Sequence, residues 1–129
     1  MYAADTAVRS LDIAVEVGAA GTAEAALTIR PEMINGHDLC HGGYLFTLAD
    51  TAFAYACNSR NRVTVAAGAA IEFLCPAKVG DRIVATATER HRGGRTGTYD
   101  VVLRNQDGAE VALFRGRSYS TRGTLVDEL

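Results

Sequence analysis

Cysteine and proline are scarce in this 129-residue chain, and a long clean apolar run is missing altogether. The 3 cysteines, Cys40, Cys57 and Cys75, are odd in number and widely spaced, with no C-x-x-C pair. They form neither a disulfide framework nor a zinc ribbon, and free thiols suit a reducing cytoplasm. The first residues, Met1 to Asp5, lack the basic start and apolar stretch of a secretion signal. The best candidate for a bilayer span is interrupted by Asp50. Neither sign of charge dominates. A net charge of -2 gives no reason to expect nucleic acid or an anionic membrane surface as partner. G-x-x-x-x-G-K-[ST] and G-x-G-x-x-G are both absent, so nucleotide hydrolysis and a dinucleotide site have no motif behind them. The expectation is one soluble cytoplasmic domain over 1–129, with no nucleic-acid or membrane partner.

The composition, 48% hydrophobic and 22% charged, is that of an ordinary globular chain. Residues 11–17 alternate as a strand with one buried face, and 23–30 alternate again through Ala25, Leu27 and Ile29. Glycines between them predict a hairpin. In 43–58 the period changes: Leu45, Leu48, Ala49, Ala52, Phe53 and Ala56 recur at helical spacing, begun by Gly42-Gly43 and ended by Asn58-Ser59. Four β-rich runs follow, at 62–75, 82–91, 98–105 and 110–120, divided by glycine turns of which Asp107-Gly108 is the strongest hairpin signal. Strand, strand, long helix and four strands predict an α+β fold, a mostly antiparallel sheet curled around one central helix. Small domains of this kind often gain further cover by pairing.

Between Asp38 and Arg60, Asp50 alone carries a full charge. One turn away lie Phe46, Thr47, Phe53 and Ala54, none of which neutralises it. An unpaired buried carboxylate is costly, so either the fold supplies water or a donor, or the acid has chemical work. Gly42-Gly43 offers a second element. A helix start leaves N–H groups free and partly positive, and glycine admits close approach; that arrangement polarises a carbonyl, although a glycine pair also simply makes a tight turn. The helix rise separates Asp50 from Gly42 by roughly 12 Å, too far to share one carbonyl within a chain. If both act together, a second subunit brings its Asp50 to the first subunit's Gly42 across a two-fold axis.

His37-Asp38-Leu39-Cys40-His41 contains metal-ligand types, but its flanking glycines argue against a helix, and a polar loop without metal is the better reading. Asn35 in that loop either donates an amide hydrogen bond to substrate or caps a turn. The segment from Arg90 to Gly97 clusters Arg90, Arg92 and Arg95 with glycines, and Arg115 and Arg117 follow on the last strand. Such side chains suit phosphate groups like those of coenzyme A, or else form a solvated hairpin tip.

Asn35-Gly36-His37, Cys40-His41-Gly42-Gly43 and the run from Leu45 to Ser59 with Leu48-Ala49-Asp50 at its centre strongly resemble the hotdog-fold phenylacetyl-CoA thioesterases of aerobic phenylacetate degradation. Phe73-Leu74 with Pro76, Gly97 with Tyr99-Asp100, and the stretch from Val111 to Gly116 extend the likeness over nearly the whole chain. The N-terminus is shorter than in relatives that begin with an extra helix. The resemblance implies an acyl-CoA thioesterase. Asp50 would be nucleophile or general base, Gly42 would present its N–H to the carbonyl, Asn35 would position carbonyl or water, and His41 would support the loop. Gly43, Phe46, Phe53, Arg95, Thr96, Gly97 and Arg117 are the candidates for binding substrate and coenzyme; Phe46 and Phe53, beside Asp50, either suit an aromatic acyl group or are plain core residues. No cofactor is implied beyond the coenzyme A of the substrate. A homotetramer is implied, a dimer of dimers with sites between subunits. Two other readings share the fold. A dehydratase or hydratase normally needs a histidine placed with the central helix, which here carries none. A non-catalytic acyl-CoA-binding protein is the other.

Overall fold

The computed structural model describes residues 1–125. A 3-10 turn, Tyr2–Ala4, and a short helix, α1 (Thr6–Ser10), open the chain. Strands β1 (Ala14–Val17) and β2 (Thr22–Thr28) follow, then a 3-10 turn at Pro31–Met33 and the long helix α2 (Gly42–Cys57). Strands β3 (Thr64–Phe73), β4 (Arg82–Gly93), β5 (Thr96–Arg104) and β6 (Glu110–Ser120) complete it. All six strands join one antiparallel sheet in the order β1-β2-β4-β5-β6-β3. This is the expected hotdog arrangement, the sheet bent around α2.

The sequence dictates that bend through small residues under a large helix. Ala25, Ala85 and Ala87 are fully covered, with Leu27, Ile83, Val101 and Leu103 among them. Phe53 of α2 fills the space over Gly116, where an added Cβ would stand 2.8 Å from the ring. Such close packing is what a core of mixed small and bulky residues allows.

Both ends of α2 are fixed by side chains. At its start, the N–H of Gly43 donates to Nδ1 of the capping His41 at 3.5 Å. At its end, Asn58 is buried; its Nδ2 donates to the Ala54 carbonyl (2.8 Å) and the Thr64 carbonyl (3.0 Å), and its Oδ1 accepts from the Thr64 N–H (2.9 Å). A buried amide with all these partners is satisfied and orienting. It ties the helix end to the first residue of β3.

Two expectations need correction. The strand expected at 11–17 begins only at Ala14. Asp12 adopts φ +55, and the Ile13 N–H bonds back to the Val8 carbonyl. The apolar spacing of Leu11 and Ile13 thus docks the end of α1 instead of extending a strand. The segment before it contributes the short helix Thr6–Ser10. At 62–75 the strand is real but narrower, and it is an edge: Val65, Phe73 and Leu74 are all exposed.

Candidate active site

Asn35, Leu39, Cys40, Gly42, Leu45 and Phe73 line a cleft of about 410 Å³ at the N-terminal end of α2. Its chemistry comes from what is left unbonded there. The Gly42 N–H, first in the helix, donates to nothing among the described residues. The Asn35 Oδ1 accepts from the N–H groups of His37 (2.9 Å) and Leu39 (3.2 Å), and this holds the side chain in the loop. Its amide N–H donors have no partner among the described residues. Of the two roles open to Asn35, the oxygen takes the turn-capping one and leaves the amide free for a ligand. Phe73 packs its ring on the bare Gly42, where an added Cβ would be 2.8 Å from Cζ. A side chain at position 42 would therefore push against the wall of the cleft.

The remaining loop residues support this corner. The His41 N–H donates to the Met33 carbonyl (2.8 Å) and the Cys40 N–H to the Ala77 carbonyl (2.7 Å). His41 therefore holds the helix start and the loop together. Burial pushes the Cys40 thiol up to about 11, so it stays protonated.

Asp50 is half-buried on α2 and does not line this cleft. Its carboxylate makes no hydrogen bond or ion pair among the described residues. Burial, and then the nearby Asp5 carboxylate, raise its pKa above the ordinary carboxylate value. Phe46, one turn before it, is half-exposed and meets Phe114 edge-on at 5.3 Å. Phe53 is only 1% exposed and packs on Tyr99 and Phe114, so it is a core residue, not a wall of any open cleft in the chain.

The basic residues lie elsewhere. Arg95 sits at the β4–β5 tip, Thr96 opens β5 with its Oγ1 bonded to the Gly93 carbonyl, and Gly97 is buried against Ser118. Arg117 lays its guanidinium over Gly68. Arg60 and Arg92 pair with Glu89, and Arg90 and Arg115 with Asp100, whereas Arg95 and Arg117 have no acidic partner among the described residues. Arg95 stands at the Thr64 end of β3, where Thr64 faces Ser120 and Thr96 faces Tyr119, and Arg117 lies opposite Gly68 at the middle of β3. The cleft stands at the Phe73 end, roughly 30 Å along the strand from Thr64 and roughly 16 Å from Gly68. One chain therefore separates three groups: the amide corner at 35 and 42, the carboxylate at 50, and the free arginines at 95 and 117. Phe73 over Gly42 was not singled out as a site residue from the sequence, since that contact is non-local.

Residues 37–112 match the thioesterase superfamily. The acyl-coenzyme A thioesterase PaaI of Escherichia coli strain K12 is 47% identical over 128 residues, which span 99% of this chain and 91% of that protein. The solved structure of the E. coli PaaI protein from the phenylacetic acid degradation operon superposes with a TM-score of 0.94 at 48% identity, covering 96% of this chain and 90% of that one. A hypothetical thioesterase protein from Streptococcus pneumoniae TIGR4, solved with coenzyme A, superposes with a TM-score of 0.81 at 26% identity, covering 87% of each chain.

Proposed function

The chain belongs to the thioesterase superfamily and hydrolyses acyl-CoA thioesters, and on that footing we propose that its substrates carry aromatic acyl groups, phenylacetyl and hydroxyphenylacetyl above all, with Asp50 as the catalytic carboxylate. The observation that carries this reading is the unspent donor pair: the Gly42 N–H and the Asn35 amide converge on one cleft, floored by the Phe73 ring. Donors fixed before the reaction stabilise charge developing on a carbonyl oxygen. The ionised Asp50 either attacks the thioester carbon, forming a mixed anhydride and expelling the CoA thiolate, or takes a proton from the water that attacks.

Assembly supplies the missing proximity. β3 is bonded to β6 on one side only, and its apolar edge suits pairing with a second copy. Antiparallel pairing of two β3 strands sets the Phe73 end of one beside the Thr64 end of the other. Each amide corner then gains the partner's Arg95, suited to the phosphates of coenzyme A, with Arg117 of each chain at the middle of the seam, and the two α2 helices run head to tail. Thr96 and Gly97 shape the turn that carries Arg95, and Gly43 keeps the helix start open. A second apolar cleft of about 320 Å³ on the outer sheet face, with Val102 and Leu113, fits the further pairing of a dimer of dimers. The chemistry draws on a carboxylate, amides and water, so we assign no cofactor beyond the coenzyme A of substrate and product. No helix among the described residues is long and apolar enough to cross a membrane, and the free thiols favour the cytoplasm.

A panel of acyl-CoAs assayed for released thiol tests the reading. Aryl-acetyl thioesters should be cleaved fastest. Cleavage of none above background would favour a non-catalytic acyl-CoA-binding protein instead.

A further inference from the structure

The four phenylalanines of the chain fall into two kinds. Phe53 and Phe114 belong to the core, whereas Phe46 and Phe73 keep 37% and 54% of their surface free. Phe73 is the last residue of β3 and lies opposite Ala112 of β6. Residues directly opposite share a face of the sheet. Ala112 is fully buried, so this register turns the Phe73 side chain towards the helix. Its ring stays open all the same, because β3 is an edge and is bonded to β6 on one side only.

The ring is held from two directions. The N–H groups of Leu74 and Cys75 both donate to the Val111 carbonyl, at 2.9 and 3.3 Å, which fixes the backbone directly after Phe73. On the other side the ring meets Gly42 end-on: Cζ and the two Cε atoms stand 2.8, 3.2 and 3.3 Å from where a Cβ would be. The missing side chain at 42 thus seats the ring against the first turn of α2, beside the unspent Gly42 N–H.

Phe46 occupies the next step of the same groove. Four residues advance α2 by about 6 Å, and two residues advance β3 by about 7 Å. Phe46 meets Phe114, the partner of Ile71, and Ile71 precedes Phe73 by two on the same face of β3. Helix and strand therefore keep step, Gly42 with Phe73 and Phe46 with the Ile71–Phe114 pair. Only the first step carries a free amide donor.

We propose that Phe73 is the specificity-determining residue for the acyl group: with the thioester oxygen on the Gly42 N–H, an aryl ring one methylene from the carbonyl lies on the free surface of Phe73. This rests on the aromatic substrates and the Gly42 donor given above. Two aromatic rings gain more than their buried area through offset-stacked or edge-to-face geometry, a gain an alkyl chain lacks. The methylene permits it. A benzoyl ring is conjugated with its carbonyl and has no freedom to turn onto Phe73, and a second methylene carries the ring beyond it.

The test compares kcat/KM for benzoyl-, phenylacetyl-, phenylpropionyl- and hexanoyl-CoA in the wild type, Phe73→Leu, Phe73→Tyr and Phe46→Leu. Leucine keeps bulk against Gly42 at a half-exposed edge position, so the fold is retained. Phe73→Leu should lower the phenylacetyl-to-hexanoyl ratio about 3–10-fold, with smaller changes for benzoyl and phenylpropionyl. Phe73→Tyr should keep the ratio. A loss shared equally by all four substrates would make Phe73 a mere support of the helix start and overturn the inference. So would a ratio that moves in Phe46→Leu and not in Phe73→Leu. A wild type that cleaves hexanoyl-CoA as well as phenylacetyl-CoA sinks the aromatic reading and this inference with it. A wild-type preference that survives in Phe73→Leu sinks the role of Phe73 alone.

Discussion

Asp50 and Asp100 are the same side chain in opposite situations. Asp100 lies on β5 at the outer face of the sheet, where Arg115 grips both its oxygens at 2.6 and 2.9 Å and Arg90 adds a third contact. These cations hold its pKa below the ordinary value. Asp50 lies on the helix the sheet wraps, with no counter-charge and with burial and Asp5 pushing its pKa up. The fold is thus capable of neutralising an acid and does so at one site, while at the other it keeps the acid unneutralised. The contrast marks Asp50 as retained at a cost to stability and Asp100 as contributing to it.

Substitution at Asp50 should break the comparison most visibly. Asp50→Asn should lower turnover by about 10²–10⁴-fold, the usual range for a lost acid–base group, with coenzyme A affinity retained. The same variant should melt higher than wild type at neutral pH. The sign follows from the raised pKa: above it the folded state carries a charge it disfavours, and as pH falls through the folded and then the unfolded value that cost disappears. The gain in melting temperature should therefore shrink to nothing in strong acid. A variant less stable at neutral pH would mean that the charge is compensated in the assembled protein.

Asn35→Ala should cost about 10²-fold in kcat through loss of one oxyanion donor, with little change in stability. Mixing it with Asp50→Asn, refolded together, sharpens the point. Random pairing makes half the dimers mixed, each with one intact site, so activity should return to about a quarter of wild type. No recovery would place both groups in one chain's site. Next in size, Arg95→Ala with Arg117→Ala should raise KM for acyl-CoA several-fold, leave KM for an acyl-pantetheine unchanged, and lose its effect at high salt. Smallest is Asp100→Asn: unchanged kcat and a melting temperature lower by only about a few degrees at pH 7, the difference vanishing as pH falls through the depressed pKa.

Much of this was legible along the chain because it is local. A lone charge in an apolar helical run identified Asp50, a glycine pair marked the helix start one residue from where it falls, and Asp107-Gly108 announced a hairpin whose Gly108 sits at φ +81. What was hidden depends on contacts distant in sequence. Nothing near Gly42 says that Phe73 will lie on it, and nothing near Tyr55 says that Asp5 will accept from its hydroxyl. Phe53 and Phe46 look alike on a helical wheel, yet one faces Gly116 and the core while the other stays 37% exposed and meets Phe114 edge-on. The strand misjudged at 11–13 failed for a related reason, since alternation cannot distinguish a buried face from a helix end that docks on the core.

The Asn58 clasp has a consequence in time. β3 leaves the ribosome before β6, its one neighbour in the sheet among the described residues, since β4 and β5 are translated between them. Until then a ten-residue apolar ribbon has no strand to lie against, a situation that invites pairing with the wrong molecule. By gripping both the N–H and the carbonyl of Thr64, the amide moors the head of that ribbon to a helix already made. The nascent chain thus holds this exposed edge at one end until β6 arrives to pair with it.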